Sequence, residues 1–251
     1  MRITFLGTGG AGGVPLFGCE CRACCRARQE AVRVRRPCTA WLATPDIRLL
    51  LDAGLMDLHE RLVTGAPDAI FLTHFHPDHV QGLFHLRWGR GKPIPVYAPP
   101  DPEGCADLYK HPGLLDFRVC RPFEPMVVGD LTITPLPLLH SKLTQGYAFE
   151  QAGGRRFAYL TDTLGLPDDT LAFLQAWGAF DMAIDCSFPP GKPPRNHNDL
   201  TMALELADRT RARTTWLTHV GHELDLWLET HSQQLPKNIL LARDGNHVLI
   251  D

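Results

Sequence analysis

Thr73-His74-Phe75-His76-Pro77-Asp78-His79 follows the apolar run Ala69-Ile70-Phe71-Leu72, and its reading decides the fold of this 251-residue chain. The run has the length and composition of a buried strand. Three imidazoles and one carboxylate then leave its end within six residues. His74 and His76 are two apart, so extended backbone points them to one side. Pro77 makes the chain turn, and Asp78 and His79 come after it. Such a loop can hold two different cations, with His74 and His76 on one and Asp78 and His79 on the other. Single histidines are common on surfaces. Three of them with an aspartate, just past a strand, point to metal chemistry.

The same arrangement recurs along the chain: an apolar run, then a polar residue of ligand type. Leu131 to Leu138, a strand interrupted by Pro135 and Pro137, leads to His140. Phe157 to Leu160 leads to Asp162, Met182 to Ile184 to Asp185, and Thr215 to Leu217 to His219. Open sheets bind ligands beyond their strand ends, so these residues can converge on one site. His74, His76 and His140 suit one cation, and Asp78, His79 and His219 the other. Asp162 can bridge them. Two divalent ions about 3.5–4 Å apart stabilise the attacking and leaving oxygens of phosphoryl transfer, and a water held between them is the nucleophile. The donor set fits zinc, manganese or iron.

A departing alkoxide also needs a proton. His197 sits in Pro193-Pro194-Arg195-Asn196-His197-Asn198-Asp199, before a helix beginning at Leu200. An imidazole is suited to donate near neutral pH. The alternative is a helix-capping stretch with an incidental histidine. Asp52 ends the strand-like run Ile47 to Leu51. It either orients a ligating histidine through the other ring nitrogen or caps a helix over Met56 to Leu62. Further helices are expected from Val80 to Leu86, Cys105 to Lys110, Leu200 to Arg209 and Leu224 to Leu228. His59, His85, His111, His231 and His247 lack a comparable setting.

Four of the eight cysteines crowd into Cys19-Glu20-Cys21-Arg22-Ala23-Cys24-Cys25. No secretory signal precedes them, so metal binding is favoured over disulfides. Cys19, Cys21 and Cys24 offer three thiolates, and a structural zinc wants a fourth ligand. His222, three residues past His219, is the candidate. An unmetallated thiol cluster is the other reading. Cys38, Cys105, Cys120 and Cys186 read as small buried hydrophobes. The glycine-rich turn Gly7 to Gly13 could cradle a phosphate or let the backbone pass close to a site. Its Gly7-x-Gly9-x-x-Gly12 spacing is not a dinucleotide fingerprint, because cysteines follow rather than a helix. Hydrophobic residues make up 44% of the chain, enough for one large α/β domain over residues 1–251 with a zinc-binding loop at about 18–26. The net charge of −3 gives no excess of basic residues for nucleic acid. The cluster Arg26, Arg28, Arg33, Arg35 and Arg36 reads as a solvated face. No stretch reads as a membrane span or signal peptide, and a cytoplasmic location is the expectation.

His74, His76, Asp78 and His79 match the H-x-H-x-D-H signature, with His140, Asp162 and His219 downstream. On these residues the chain resembles the metallo-β-lactamase superfamily. The resemblance implies an α/β fold, an αβ/βα four-layer sandwich with two metals at its edge. Gly9-Gly10-Ala11, Gly18-Cys19-Glu20-Cys21, Thr73 through Leu83, Leu86-Arg87-Trp88-Gly89, Lys110 through Phe117, His140 through Thr144 and Arg195-Asn196-His197 look, more narrowly, like the PhnP family of phosphodiesterases of the carbon–phosphorus lyase pathway. That likeness implies hydrolysis of 5-phospho-α-D-ribose 1,2-cyclic phosphate to ribose 1,5-bisphosphate. It also implies a manganese pair (Mn2+, with Zn2+ or Fe2+ as substitutes), one structural Zn2+ on Cys19, Cys21, Cys24 and His222, and a homodimer. His197 would be the general acid, and Asp78 would serve both metal binding and catalysis. The extra Cys25 leaves open which neighbouring thiolate binds. Ser141, Lys142 and Arg195 are the candidates to hold the substrate's second phosphate. The chain also resembles tRNA 3′-processing nucleases, against which its mildly acidic balance argues, and the PqqB proteins of quinone-cofactor synthesis, with which it shares the cysteine site.

Overall fold

The computed structural model describes residues 1–62, 65–193 and 195–251, so Pro194 of the proline-rich loop lies outside the described residues. Two mixed seven-stranded sheets face each other. The first contains β1 (Arg2–Gly7), β2 (Thr39–Ala43), β3 (Arg48–Leu51), β4 (Ala69–Phe71), β5 (Ile94–Ala98) and β6 (Leu115–Val119). The second runs through β7 (Met126–Val128), β8 (Leu131–Leu138), β9 (Thr144–Gln151), β10 (Arg155–Leu160), β11 (Asp181–Asp185), β12 (Thr215–Thr218) and β13 (Ile239–Leu241). The last strand, β14 (His247–Leu249), returns to the first sheet beside β1. The helices are α1 (Arg22–Gln29), α2 (Leu58–Arg61), α3 (Pro77–Val80), α4 (Leu83–Leu86), α5 (Ala106–Lys110), α6 (Asp168–Ala176), α7 (Leu200–Thr210) and α8 (His222–His231).

Strand alternation builds the layers. Leu49, Leu51 and Phe71 point between the sheets and meet Tyr147, Phe149, Phe157 and Tyr159. Leu50, Ile70 and Leu72 point the other way, under Leu58, Leu83 and Leu108 of α2, α4 and α5. In the second sheet Ala158, Leu160 and Leu217 turn outward to Leu174, Leu206 and Leu224 of α6, α7 and α8. The result is helix, sheet, sheet, helix, the four layers the resemblance implies. Strands β3 to β6 run parallel, as do β10 to β13. Strand β8 shares the direction of β10, because each is antiparallel to β9. The C-terminal ends of β4, β8, β10, β11 and β12 therefore carry His74, His140, Asp162, Asp185 and His219.

Several expectations change in detail. β8 is one continuous strand despite Pro135 and Pro137. β7 pairs only with Leu131 to Ile133, so the prolines' missing N–H groups face a side where no strand pairs. The expected turn after Pro77 is the helix α3 with Pro77 in its first turn, where its missing N–H is not needed. Val80 to Leu86 divides into the end of α3 and α4. Cys38, Cys120 and Cys186 are buried, whereas Cys105 is only half-buried. Helices α1 and α6 and strand β9 were not legible in the sequence. Among the described residues no helix is long and apolar enough to cross a membrane.

The basic cluster is not uniformly solvated. Arg35 is only 2% exposed. Its guanidinium reaches Asp225 at 2.9 Å, the Thr8 hydroxyl at 2.9 Å and the Ala242 carbonyl at 2.8 Å. It ties the N-terminal segment to α8. Removing one partner of a buried pair leaves the other charge uncompensated, at a cost of about 3–5 kcal/mol. Arg35→Ala is expected to lower unfolding free energy by about that much in urea titrations. A loss near zero would show that Asp225 is adequately solvated without it.

Candidate metal centre

Three ring nitrogens meet at the mouth of the first half-site. His74 Nε2 lies 2.8 Å from His76 Nδ1, and His140 Nε2 lies 3.1 Å from the same atom. Burial and the neighbouring imidazoles push His74 and His76 below the usual histidine range, and burial lowers His140. Neutral rings present lone pairs, the state a cation requires. In the second half-site His79 Nε2 stands 3.4 Å from Asp78 Oδ2 and 3.2 Å from Asp162 Oδ2. His219 Nε2 is 3.3 Å from Asp162 Oδ1. The same Oδ1 is 3.9 Å from His74 Nε2 and 3.8 Å from His140 Nε2. Asp162 thus faces both halves, as a bridging carboxylate must.

The residues fit a pair of cations. His79 Nε2 and His219 Nε2 are buried and have no hydrogen-bond partner among the described residues. Such orphans are rare unless something else satisfies them. Burial disfavours charge on Asp78 and Asp162, yet His219 and His79 beside them hold both carboxyls well below the usual carboxylate range. Burial likewise opposes charge on His219, but Asp162 and Asp78 outweigh it and hold this ring up to about 9. Asp162 and Asp52 do the same for His79.

The far nitrogen of each ring is held by a different element. His79 Nδ1 donates to Asp52 Oδ2 at 2.9 Å. Thr73 donates its backbone N–H and its hydroxyl to Asp52 and accepts from His74 Nδ1 at 3.0 Å. Asp52 is therefore an orienting group and not the cap of α2, whose preceding residue is Asp57. Ser187 donates to Asp185 Oδ1 at 3.0 Å and accepts from His219 Nδ1 at 2.8 Å. His140 Nδ1 donates to the Asn196 carbonyl at 3.1 Å. These outer bonds fix the tautomers that leave the inner nitrogens free. Three strand-end residues, Asp52, Asp162 and His219, have left-handed backbones with φ of 57°, 60° and 57°. Each conformation costs on the order of 1 kcal/mol or more and is held by its surroundings. Gly10 passes so close to His219 that an added Cβ would lie 3.0 Å from its ring. The glycine-rich turn thus serves close approach.

His197 stands beside this cluster. Its Nδ1 donates to Asp185 Oδ2 at 2.6 Å, and its ring stacks on His219 with centroids 4.5 Å apart. Nε2 is left for another partner. Ser141 and Lys142 lie on the loop after His140 and, with Asn196, line a cleft. Arg195 is exposed on the His197 loop. Sequence reasoning missed Thr73, Ser187 and Asn196. Ser187 was signalled only by lying two residues past Asp185.

The second cluster gathers Cys19, Cys21, Cys24 and His222. His222 Nδ1 lies 3.5 Å from Cys19 Sγ and 3.6 Å from Cys21 Sγ. Those separations approximate the edges of a tetrahedron with zinc bonds of about 2.0–2.3 Å. Cys25 points away, its thiol donating to the Glu20 carbonyl at 3.3 Å. The arrangement favours Cys24 over Cys25 as the third thiolate. Burial pushes the Cys24 thiol up to about 12, so a bound cation would have to displace its proton.

The sequence pattern of the family described as Beta-lactamase superfamily domain matches residues 45–220. A protein of Porphyromonas gingivalis named octanoyltransferase is 29% identical over 272 residues, aligned with 100% of this chain and 52% of its own length. A coenzyme PQQ synthesis protein B of Methylobacterium radiotolerans is 31% identical over 199 residues, covering 64% of each chain. This chain thus spans between about half and two thirds of the length of these curated relatives. Among solved structures, a diphosphatase of the PhnP family is similar with a TM-score of 0.83 and 26% identity, covering 100% of this chain and 98% of its own.

Two outcomes follow from this geometry. Asp52→Asn should weaken divalent-cation affinity about 10–100-fold by calorimetric titration; unchanged affinity would mean that His79 needs no outer partner. Cys24→Ser should release one metal equivalent measured by atomic emission, while Cys25→Ser keeps it, and the reverse result would exchange their assignments.

Proposed function

The chain belongs to the metallo-β-lactamase superfamily, and on that premise we propose that it is a two-metal phosphodiesterase hydrolysing 5-phospho-α-D-ribose 1,2-cyclic phosphate to ribose 1,5-bisphosphate in phosphonate catabolism. His74, His76, His140, Asp78, His79, His219 and Asp162 would hold the pair of divalent cations, Mn2+ in this reading. Cys19, Cys21, Cys24 and His222 would hold a structural zinc. Divalent ions bound there supply positive charge to the attacking and leaving oxygens of an in-line displacement.

The observation that carries the reading is the Asp185–His197 pair next to the ligand cluster. With Nδ1–H committed to Asp185, a protonated His197 has one proton left to give, on Nε2. That proton goes to the sugar oxygen as its bond to phosphorus breaks. Asp185 holds the ring in place. Water supplies the new oxygen on phosphorus, and the ring is reprotonated from solvent. In this reading Lys142, Ser141 and Arg195 would meet a second phosphate. A homodimer belongs to the same reading.

A second reading is cleavage of a diphosphate, favoured by the similar PhnP-family diphosphatase. Phosphorus NMR separates the two, since a cyclic diester yields a monoester and a diphosphate yields phosphate groups. His197→Ala should reduce kcat about 10²–10⁴-fold on an ester with an alkyl leaving group. It should reduce kcat far less on bis(4-nitrophenyl) phosphate, whose leaving group departs without a proton. Equal losses on both substrates would remove His197 from the acid role.

A further inference from the structure

The cleft next to His140 has a volume of about 540 Å³. Leu138, Leu139, Leu143 and Leu164 line it, and Lys142 is the one charged side chain among the described residues that do. Leu139 and Leu143 are 47% and 50% exposed. For Leu139 this exposure is built in. Its backbone N–H donates to the Thr163 hydroxyl at 3.1 Å, and its carbonyl accepts from Leu164 N–H at 2.8 Å. Held from both sides, its backbone is fixed at the rim of the cleft. The Thr144 hydroxyl donates to the Lys142 carbonyl at 2.9 Å and fixes the other end of the loop. His140 lines the same cleft, so its apolar wall adjoins the candidate metal centre.

A site for polar sugar phosphates alone has no use for this many leucines. Ligand clefts of this size are mostly apolar, with a few polar groups that set orientation. We propose that the cleft takes the apolar arm of a phosphodiester, an alkyl or aryl group, so that such diesters form a further substrate class. The proposal rests on the phosphodiesterase reading above. The phosphate would lie at the His/Asp cluster that holds the cations, the apolar arm would run along Leu139, Leu143 and Leu164, and Lys142 would meet the anionic end. Water adds across the P–O bond: its oxygen joins phosphorus, the other ester oxygen leaves, and one proton passes to that oxygen.

The test uses the Mn2+-loaded protein and methyl, butyl and hexyl 4-nitrophenyl phosphates, which share one leaving group. Each buried methylene contributes favourable transfer energy, so kcat/KM is expected to rise at least about tenfold from methyl to hexyl, mainly through KM. In Leu143→Gln and in Leu139→Asn/Leu143→Gln the hexyl-to-methyl ratio should collapse toward one. A flat series in the parent protein, or an undiminished ratio in the double variant, overturns the proposal. Calorimetric binding of hexylphosphonate against methylphosphonate provides a second arm that needs no turnover. If no diester is hydrolysed, the phosphodiesterase reading fails, and this arm still decides the cleft: tighter hexyl binding that the double variant loses supports it, and equal binding of the two overturns it.

Discussion

Asp162 is a carboxylate only 2% exposed, set among the imidazoles of His74, His79, His140 and His219. Burying a charge this far from water is tolerable only when it is paired or coordinates a metal. The surrounding architecture answers that demand. Parallel strand ends from both sheets bring nitrogen donors to its two oxygens. One of those oxygens also accepts from the Thr161 hydroxyl at 2.8 Å. The sandwich thus carries an electrostatic cost at one edge and an apolar core everywhere else.

A cluster of ligand atoms is useful only if the rings cannot rotate. Thr73, Asp52, Ser187, Asp185 and the Asn196 carbonyl supply the outer bonds that prevent it. Asp185 joins two tasks. One of its oxygens reaches His219 through Ser187, and the other holds His197. The candidate acid and a candidate metal ligand therefore share an anchor. The left-handed backbones at Asp52, Asp162 and His219 aim these side chains at the cost of local strain.

The cysteine cluster joins the N-terminal loop to the same edge. His222 begins α8 three residues past His219. Between them, Val220 N–H donates to the Thr8 carbonyl at 2.8 Å and Gly221 N–H to the Ser187 carbonyl at 3.2 Å. Arg22 and Arg26 of α1 pair with Glu229 of α8, and Arg35 with Asp225. A shift of the N-terminal loop would therefore be felt at His219. This is a mechanical reason for a structural cluster to sit so near a chemical one.

The sequence by itself determined the candidate ligand set. A dense run of metal-binding side chains after a strand, and single ligand-type residues after four later strands, are local patterns. Short apolar runs located β4, β10, β11 and β12 for the same reason. Only the tertiary structure decided which alternatives hold. Asp52 could have been a cap or an orienting group, because what it touches lies 21 residues away at Thr73 and farther at His79. Arg35 looked solvated because its partners Asp225 and Ala242 come from the far end of the chain. Asn196 and the leucine-lined cleft have no sequence signature, and Ser187 only its place two residues past Asp185, since each owes its role to loops that meet only when the two sheets pack. Residue type reports chemical capacity, whereas distance between remote segments is set by the packing of the whole chain.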